Sequence, residues 1–397
     1  MSDSGRAIVV GGGVAGSVAA LALCRTGFSV TLLEARPATR AGAAVRVNPN
    51  GMDALRAVGA AQAVLSVSSP LLRSERCGAR GRLGYRLTAD PSGEQGLPRI
   101  MAWADLTRAV QREATRAGAV IRNDARVRAA EQTSSSVRAL LADGTEITGD
   151  VLVGADGPRS TVRSHIDPAA AHPQHTGRCT VRGFTPDPSF EPPPPEVLRG
   201  YVQRGFFGAT RDSLTGGCYW FTTLATGPLA DGEADDRDLW RERLLDHFGE
   251  DHVPAAAAVL DAERILAFDD CALPHLAHWH SERAVVIGDA AHAMTPGSGQ
   301  GVATALEDGV ELALCLRDNT GPARASGTAD ALAAFERRRR QRVQAAVALG
   351  LPAARRPERL VRWARERAAA VGRRRVLDIG GADWTYDHHI DWDQPHR

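Results

Sequence analysis

The stretch from 7 to 36, AIVVGGGVAGSVAALALCRTGFSVTLLEAR, limits what this chain can fold into more than any other. Ala7 to Val10 is a short apolar run, Val14 to Arg25 has the composition of an apolar-faced helix, and Ser29 to Leu33 is a second strand-like run ending at Glu34. Gly11, Gly13 and Gly16 fall between them at GxGxxG spacing, so the whole reads as one βαβ unit. In such a unit the first glycine allows a tight turn, the second lets the backbone approach a pyrophosphate, and the third lets helix and strand pack closely. The helix N-terminus then attracts the anion. Glu34 lies 18 residues beyond Gly16, where a carboxylate accepts the ribose hydroxyls of an adenosine and repels a 2′-phosphate. The unit therefore points to FAD or NAD rather than NADP. An apolar run after Arg6 has a secretory leader as its alternative reading. A dense glycine turn interrupts this run, which then passes straight into Glu34 and Arg36 without a cleavage pattern, so a cytoplasmic protein is expected.

Composition narrows the field further. A chain of 397 residues that is 43% hydrophobic and 24% charged suits two soluble globular domains without a membrane span. A net charge of +1 gives no general attraction to nucleic acid. The six cysteines include no CxxC pair, which argues against a disulfide framework or a zinc site. The chain has no lysine, so all 48 basic residues are arginine. That excludes a Walker phosphate loop, a Schiff-base lysine and a kinase-type lysine.

Two later stretches also end strands in glycine and acid. Val137 to Leu141 and Glu146 to Thr148 form a predicted hairpin across Asp143-Gly144, and the buried run Val151 to Val153 leads to Asp156-Gly157. Asp156 is either a turn and helix-cap residue or a ligand group at a strand end. Ala284 to Ile287 is another buried run, followed by Gly288-Asp289, a glycine-rich turn and a helix starting near Gly299 to Gly301. Amides at that helix start stabilise negative charge. Glu307 and Asp308, further along, are expected to face solvent or cap a neighbour, and His292 to make a structural hydrogen bond rather than bind metal. Between these stretches, 171–270 is proline-rich and strand-like, with Phe206, Phe207, Tyr219, Trp220 and Phe221 either in its core or at a binding surface. The arginine-rich C-terminal segments read as solvated helical faces, and Asp387, His388, His389 and Asp391 as a frayed end.

Taken in this order, Gly11, Gly13, Gly16 and Glu34, then Asp156-Gly157 with Arg159 and Arg163, then Gly288-Asp289-Ala290-Ala291-His292 with Pro296, Gly299-Gln300-Gly301 and Ala305-Leu306-Glu307-Asp308, resemble the FAD-dependent aromatic monooxygenases of the para-hydroxybenzoate hydroxylase type, in particular the salicylate hydroxylase-like branch. The resemblance spans 5 to about 345. It implies an α/β fold: a Rossmann-like FAD-binding domain (1–72, 99–170 and 271–345), an inserted β-rich substrate domain (73–98 and 171–270), and a C-terminal helical segment with a tail (346–397). It implies FAD and NAD(P)H as cofactors, O2 and a small apolar aromatic or polycyclic substrate as partners, and no metal. Glu34, with Ala35 and Arg36 beside it, would meet the adenosine ribose, and Asp289 after Gly288 the ribityl or pyrophosphate region. Asp156-Gly157 would serve both FAD and nicotinamide. Pro296, Gly299, Gln300 and Gly301 would lie against the isoalloxazine with Arg46 flanking it, which makes these five the candidate catalytic residues. Phe206, Phe207, Tyr219 and Trp220 would wall the substrate.

In the implied reaction NAD(P)H reduces FAD, oxygen adds at the flavin C4a position, and one oxygen atom passes to an electron-rich carbon. Ring hydroxylation and epoxidation of an alkene or indole share this oxidant. A flavin reductase or dehydrogenase of the same fold, and a redox-neutral FAD-binding protein, are the other two classes. One departure stands out. The family usually carries an Arg-x-x-Leu pattern that contacts FAD, and here it reads Trp103-Ala104-Asp105-Leu106. Arg99 or Arg108 would have to supply the guanidinium, or FAD is held less tightly.

Overall fold

The computed structural model describes residues 5–36, 43–78, 83–89, 96–202, 204–249, 254–273, 275–319, 327–350 and 383–394. Of the arginine-rich C-terminal segments expected as helices, the second, from Arg356 to Arg375, lies outside them.

Apolar runs with no alternation are suited to burial on both faces, which is the environment of a parallel sheet. Four such strands and the exposed edge strand Val120–Arg122 make one here, in the order Ala284–Val286, Val151–Gly154, Arg6–Val10, Ser29–Leu33, Val120–Arg122. Every neighbouring pair is parallel. The helices Val14–Arg25 and Gly301–Asn319 pack together over this sheet, and Trp103–Arg116 lies against the former. The hairpin at Asp143-Gly144 forms as expected, and its sheet contributes Val137, Ala139 and Leu141 to the same core as Ile8 and Val153. From the central strand Arg6–Val10 the chain moves to one side at Ser29–Leu33 and later to the other at Val151–Gly154. That reversal opens a crevice at the carboxyl ends of these strands, where open α/β sheets bind ligands.

The second large sheet has seven strands, from Arg264–Ala272 through Gln174–Thr185, Cys218–Ala225, Phe206–Arg211, Val197–Val202 and Arg73–Cys77 to Leu83–Thr88. Helices Arg237–Phe248 and Ala255–Leu260 cover one face. The other faces a small sheet of Ala44–Val47, Arg99–Ala102 and Ser69–Pro70, and Leu71, Ile100, Ala102 and Tyr219 fill the gap with Phe184. Strand alternation divides the aromatics between the faces. Phe207 and Trp220, both 1% exposed, point into the helix-covered core with Trp240 and Phe248. Their rings stack with centroids 5.8 Å apart. A Cβ at Gly183 would come within 2.1 Å of the Trp220 ring, so that glycine makes room for it. Against expectation, Phe207 and Trp220 therefore build the sheet's core, and only Phe206 and Tyr219 of the four aromatics belong to the opposite face.

The chain end is also unlike the expected frayed tail. Asp383–Tyr386 is a short helix, Trp384 and Ile390 are buried, and His389 Nδ1 meets Asp53 Oδ1 at 2.9 Å. Among the described residues no helix is long and apolar enough to cross a membrane.

Candidate active site

The three glycines of the first turn differ in what surrounds them. Gly11 adopts φ +102°, and a Cβ there would sit 2.2 Å from the Ala155 carbonyl. A Cβ on Gly16 would lie 1.9 Å from the Gly11 carbonyl. At Gly13 nothing lies within 4 Å. The first and third glycines are thus fixed by the protein's own backbone, while the second faces an open crevice at the start of Val14–Arg25. Glu34 closes the turn from the side. Its Oε2 accepts from the Gly12 amide at 2.7 Å and its Oε1 from the Arg36 amide at 2.9 Å, which leaves carboxylate lone pairs for ribose hydroxyls. Gln111, which the sequence reading did not single out, donates to the Gly12 carbonyl at 2.8 Å from the helix Trp103–Arg116.

That contact bears on Trp103. Arg99 donates to the Ser68 carbonyl and, at 3.0 Å, to the Ser68 hydroxyl, and Arg108 pairs with Asp105 at 3.2 Å on the surface. Both are thus engaged elsewhere, and the helix reaches the glycine turn through the Gln111 side-chain amide.

Asp156 resolves into its capping reading as far as its side chain is concerned. Its carboxylate accepts from the Ser160 hydroxyl at 2.5 Å and from the amides of Thr161 and Val162 at 2.7 and 3.2 Å, at the start of Thr161–Ile166. The Asp156 backbone meanwhile packs on Gly11. Arg163, 2% exposed, donates to the carbonyls of Pro158 and Ala290 at 2.7 and 2.9 Å and so ties this turn to the one after Gly288. Arg159 is exposed beside it.

Gly288 has φ +57° and its amide donates to Asp308 Oδ2 at 2.9 Å, while Asp289 follows it at the strand end. After it, Pro296–Ser298 forms one 3-10 turn, Gly299 takes φ +62°, and the helix Gly301–Asn319 begins. A Cβ at Gly299 would stand 2.5 Å from Arg46 Nη2, and Asn48 Nδ2 donates to the Gly299 carbonyl at 2.7 Å. The structure thus gathers Arg46, Pro296, Gly299 and Gly301 at one place. Gln300 is there too, but its side chain is 1% exposed and turned inward: Asn50 donates to Oε1 at 3.2 Å and Nε2 donates to Thr385 Oγ1 at 3.0 Å. Asn48 Oδ1 and Asn50 Oδ1 are buried acceptors with no donor among the described residues.

Below this turn lies a network that the sequence did not reveal. Glu307 and Asp308, expected to face solvent or cap a neighbour, are both 0% exposed. Arg339 bridges them, at 2.6 Å to Glu307 and 2.8 Å to Asp308, and Arg342 reaches Glu307 at 2.7 Å. Asp308 also meets His292 Nε2 at 2.5 Å, which is the structural hydrogen bond expected of that histidine. Two arginines of the run read as a solvated face are therefore buried partners. Burial opposes ionisation of Glu307, but Arg342, His388 and Arg339 outweigh it and hold the carboxyl well below its usual range. The same contest, won by His292 and Arg339, lowers Asp308. At Glu311 burial is outweighed by His388, Arg339 and Arg338, and the carboxyl falls to about 2.

A glycine turn with open space at its second glycine, a carboxylate at the following strand end, and two further strand-end turns around the same crevice define a dinucleotide-binding α/β protein with an attached sheet domain. The open approach at Gly13, the unfilled lone pairs of Glu34 and the helix start at Gly301 fit FAD. The chain belongs to the FAD-dependent monooxygenases of the FAD binding domain family, which matches residues 5–349. It is 32% identical to the aurachin C monooxygenase/isomerase of Stigmatella aurantiaca over 78% of this chain and 80% of that one. It is 30% identical to a salicylate hydroxylase of Pseudomonas putida over 84% and 82%, in keeping with the branch its motifs resemble. Plant zeaxanthin epoxidases such as that of Oryza sativa subsp. japonica match as well, and the chain spans about half of their length. Among solved structures, HpxO of Klebsiella pneumoniae, complexed with FAD and uric acid, superposes with a TM-score of 0.77 at 25% identity, over 88% of each chain.

Proposed function

We propose that this protein is an NAD(P)H-dependent monooxygenase that inserts one oxygen atom from O2 into an apolar, electron-rich aromatic or polycyclic substrate. The observation that carries this reading is the meeting of the Gly301 helix start, the Gly299 turn and Arg46 at the junction of the dinucleotide crevice and the sheet domain. Bound FAD supplies the redox chemistry and the activated oxygen. The chain's own residues bind, orient and exclude water. The first amides of Gly301–Asn319 have no partner within their helix, and with the helix dipole they stabilise negative charge placed against them. The Arg46 guanidinium adds a second positive group beside Gly299. The packed cluster of Tyr219, Phe184, Leu71 and Ile100 keeps water out of the space between the two sheets.

The substrate wall follows from the same alternation that removed Phe207 and Trp220 from it. Arg182 belongs to the face of Phe184, and its Nη1 donates to the Ala44 carbonyl at 3.1 Å, on the strand that carries Arg46 two residues later. Its guanidinium lies 5.5 Å from the ring centre of Phe268, which is 45% exposed, unusual for an aromatic on a strand. An aromatic surface beside a guanidinium suits a planar substrate bearing a carboxylate, phenolate or carbonyl oxygen. Arg182→Ala is expected to raise KM for such a substrate by about tenfold, the worth of a charge-assisted hydrogen bond, with a smaller change in kcat. Steady-state kinetics on paired acid and uncharged substrates checks it.

The test of the reading itself is an oxygen-electrode assay on FAD-reconstituted protein with phenolic, indolic and polycyclic compounds. A compound that accelerates both NAD(P)H loss and oxygen uptake and yields a hydroxylated product supports it. An epoxide product assigns the chain to the chemistry named for its plant relatives. Flavin reduction without any substrate-stimulated oxygen uptake assigns it to the reductases.

A further inference from the structure

The segment 383–394 lies outside the family match, which ends at 349, yet it is seated on the residues proposed to face the flavin. Thr385 is 1% exposed and its hydroxyl accepts from Gln300 Nε2. With Asn50 on Oε1, the Ser298 hydroxyl on the backbone amide, and the Thr304 amide and hydroxyl on the carbonyl, every polar atom of Gln300 is held. Trp384 supports the turn from below. It packs with Ala345 and Ala346 against Met294, and Met294 receives the Ser298 hydroxyl at 3.1 Å and stands beside Gly301. The segment is fixed at further points: Asp53, on the helix that carries Asn50, accepts from the Ile390 amide at 2.8 Å, and His388 meets Glu311 at 3.3 Å.

We infer that this C-terminal strap is part of the cofactor site, with Thr385 a positioning residue that fixes Gln300 and through it the turn from Pro296 to Gly301. A turn whose amides must meet a ring edge works only if it is held still, and side chains locked by hydrogen bonds from a surrounding layer do this. Gln300 cannot be replaced in that task by water, because its side chain is sealed by the strap. The inference rests on the FAD reading above, which assigns the turn to the flavin.

Thr385→Val keeps the shape of the side chain and removes the hydroxyl, which leaves the Gln300 amide with a buried unpaired donor. The expected result is an FAD dissociation constant raised about tenfold, a shifted visible spectrum of the bound flavin, and a lower kcat with little change in KM, while the apoprotein melts near the wild-type temperature. Thr385→Ser is expected to restore affinity, spectrum and kcat, which a purely packing role of the threonine methyl would not allow. Thr385→Val with wild-type FAD affinity, spectrum and kcat overturns the inference, as does a Thr385→Ser variant no better than valine. Wild-type protein that takes up no FAD overturns the cofactor reading and this inference with it, so the two failures are told apart by the wild type alone.

Discussion

Gly13→Ala is expected to leave the protein folded and to weaken FAD binding by about a hundredfold, whereas Gly16→Ala is expected to cost the FAD-binding domain about 3 kcal/mol or more of stability. The two glycines lie three residues apart, Gly13 as the N-cap and Gly16 in the first turn of the helix, and they differ in what a methyl group would meet. At Gly16 it would lie 1.9 Å from the Gly11 carbonyl oxygen, a main-chain atom, and the main chains of both residues are pinned by the strand on one side and the helix on the other. At Gly13 there is no atom within 4 Å and φ is −71°, a value that alanine adopts without strain. A methyl there would occupy only the space through which a pyrophosphate is proposed to reach the helix amides. Thermal melting of the two apoproteins and titration of each with FAD separate the effects. A Gly13→Ala protein that binds FAD as the wild type does would remove the pyrophosphate from this crevice.

The features legible in the sequence are those whose partners lie close along the chain. The first βαβ unit is local: strand, turn, helix and strand occupy 30 consecutive residues, and their spacing alone carries the geometry, including the close backbone packing at Gly11 and Gly16. The turns at Asp156-Gly157 and Gly288-Asp289 were legible as strand ends for the same reason. What stayed hidden depended on distant partners. Glu307 and Asp308 look like an exposed acidic pair until Arg339 and Arg342, on the next long helix, are laid across them. Phe206 and Phe207 are neighbours in sequence, and period two says only that they face opposite ways. Which way is inward was decided by the helices at Arg237–Phe248 and Ala255–Leu260, which follow later. Thr385 and Gln300 are 85 residues apart, and no periodicity joins them.

The buried network carries the other large expected effect. Glu307→Gln is expected to lower the unfolding free energy by about 3–5 kcal/mol, because it leaves Arg339 and Arg342 buried beside one fewer negative charge. The loss should propagate to the cofactor site, since Glu307 also holds Asn50, and Asn50 holds Gln300. The pH dependence has a definite sign. Glu307, Asp308 and Glu311 all have carboxyls lowered in the folded protein, Glu311 to about 2, so each binds its proton more readily when unfolded. Their stabilisation is complete above the unfolded carboxylate values near about 4 and is lost as pH falls from there toward 2. Wild-type stability measured by urea unfolding should therefore fall steeply between about pH 5 and pH 2, and Glu307→Gln should start lower and fall less, having one linked carboxyl fewer. Parallel wild-type and variant curves over that range would mean that Glu307 is not the ionised centre of the network. A variant as stable as the wild type at pH 7 would mean that the two arginines do not depend on it.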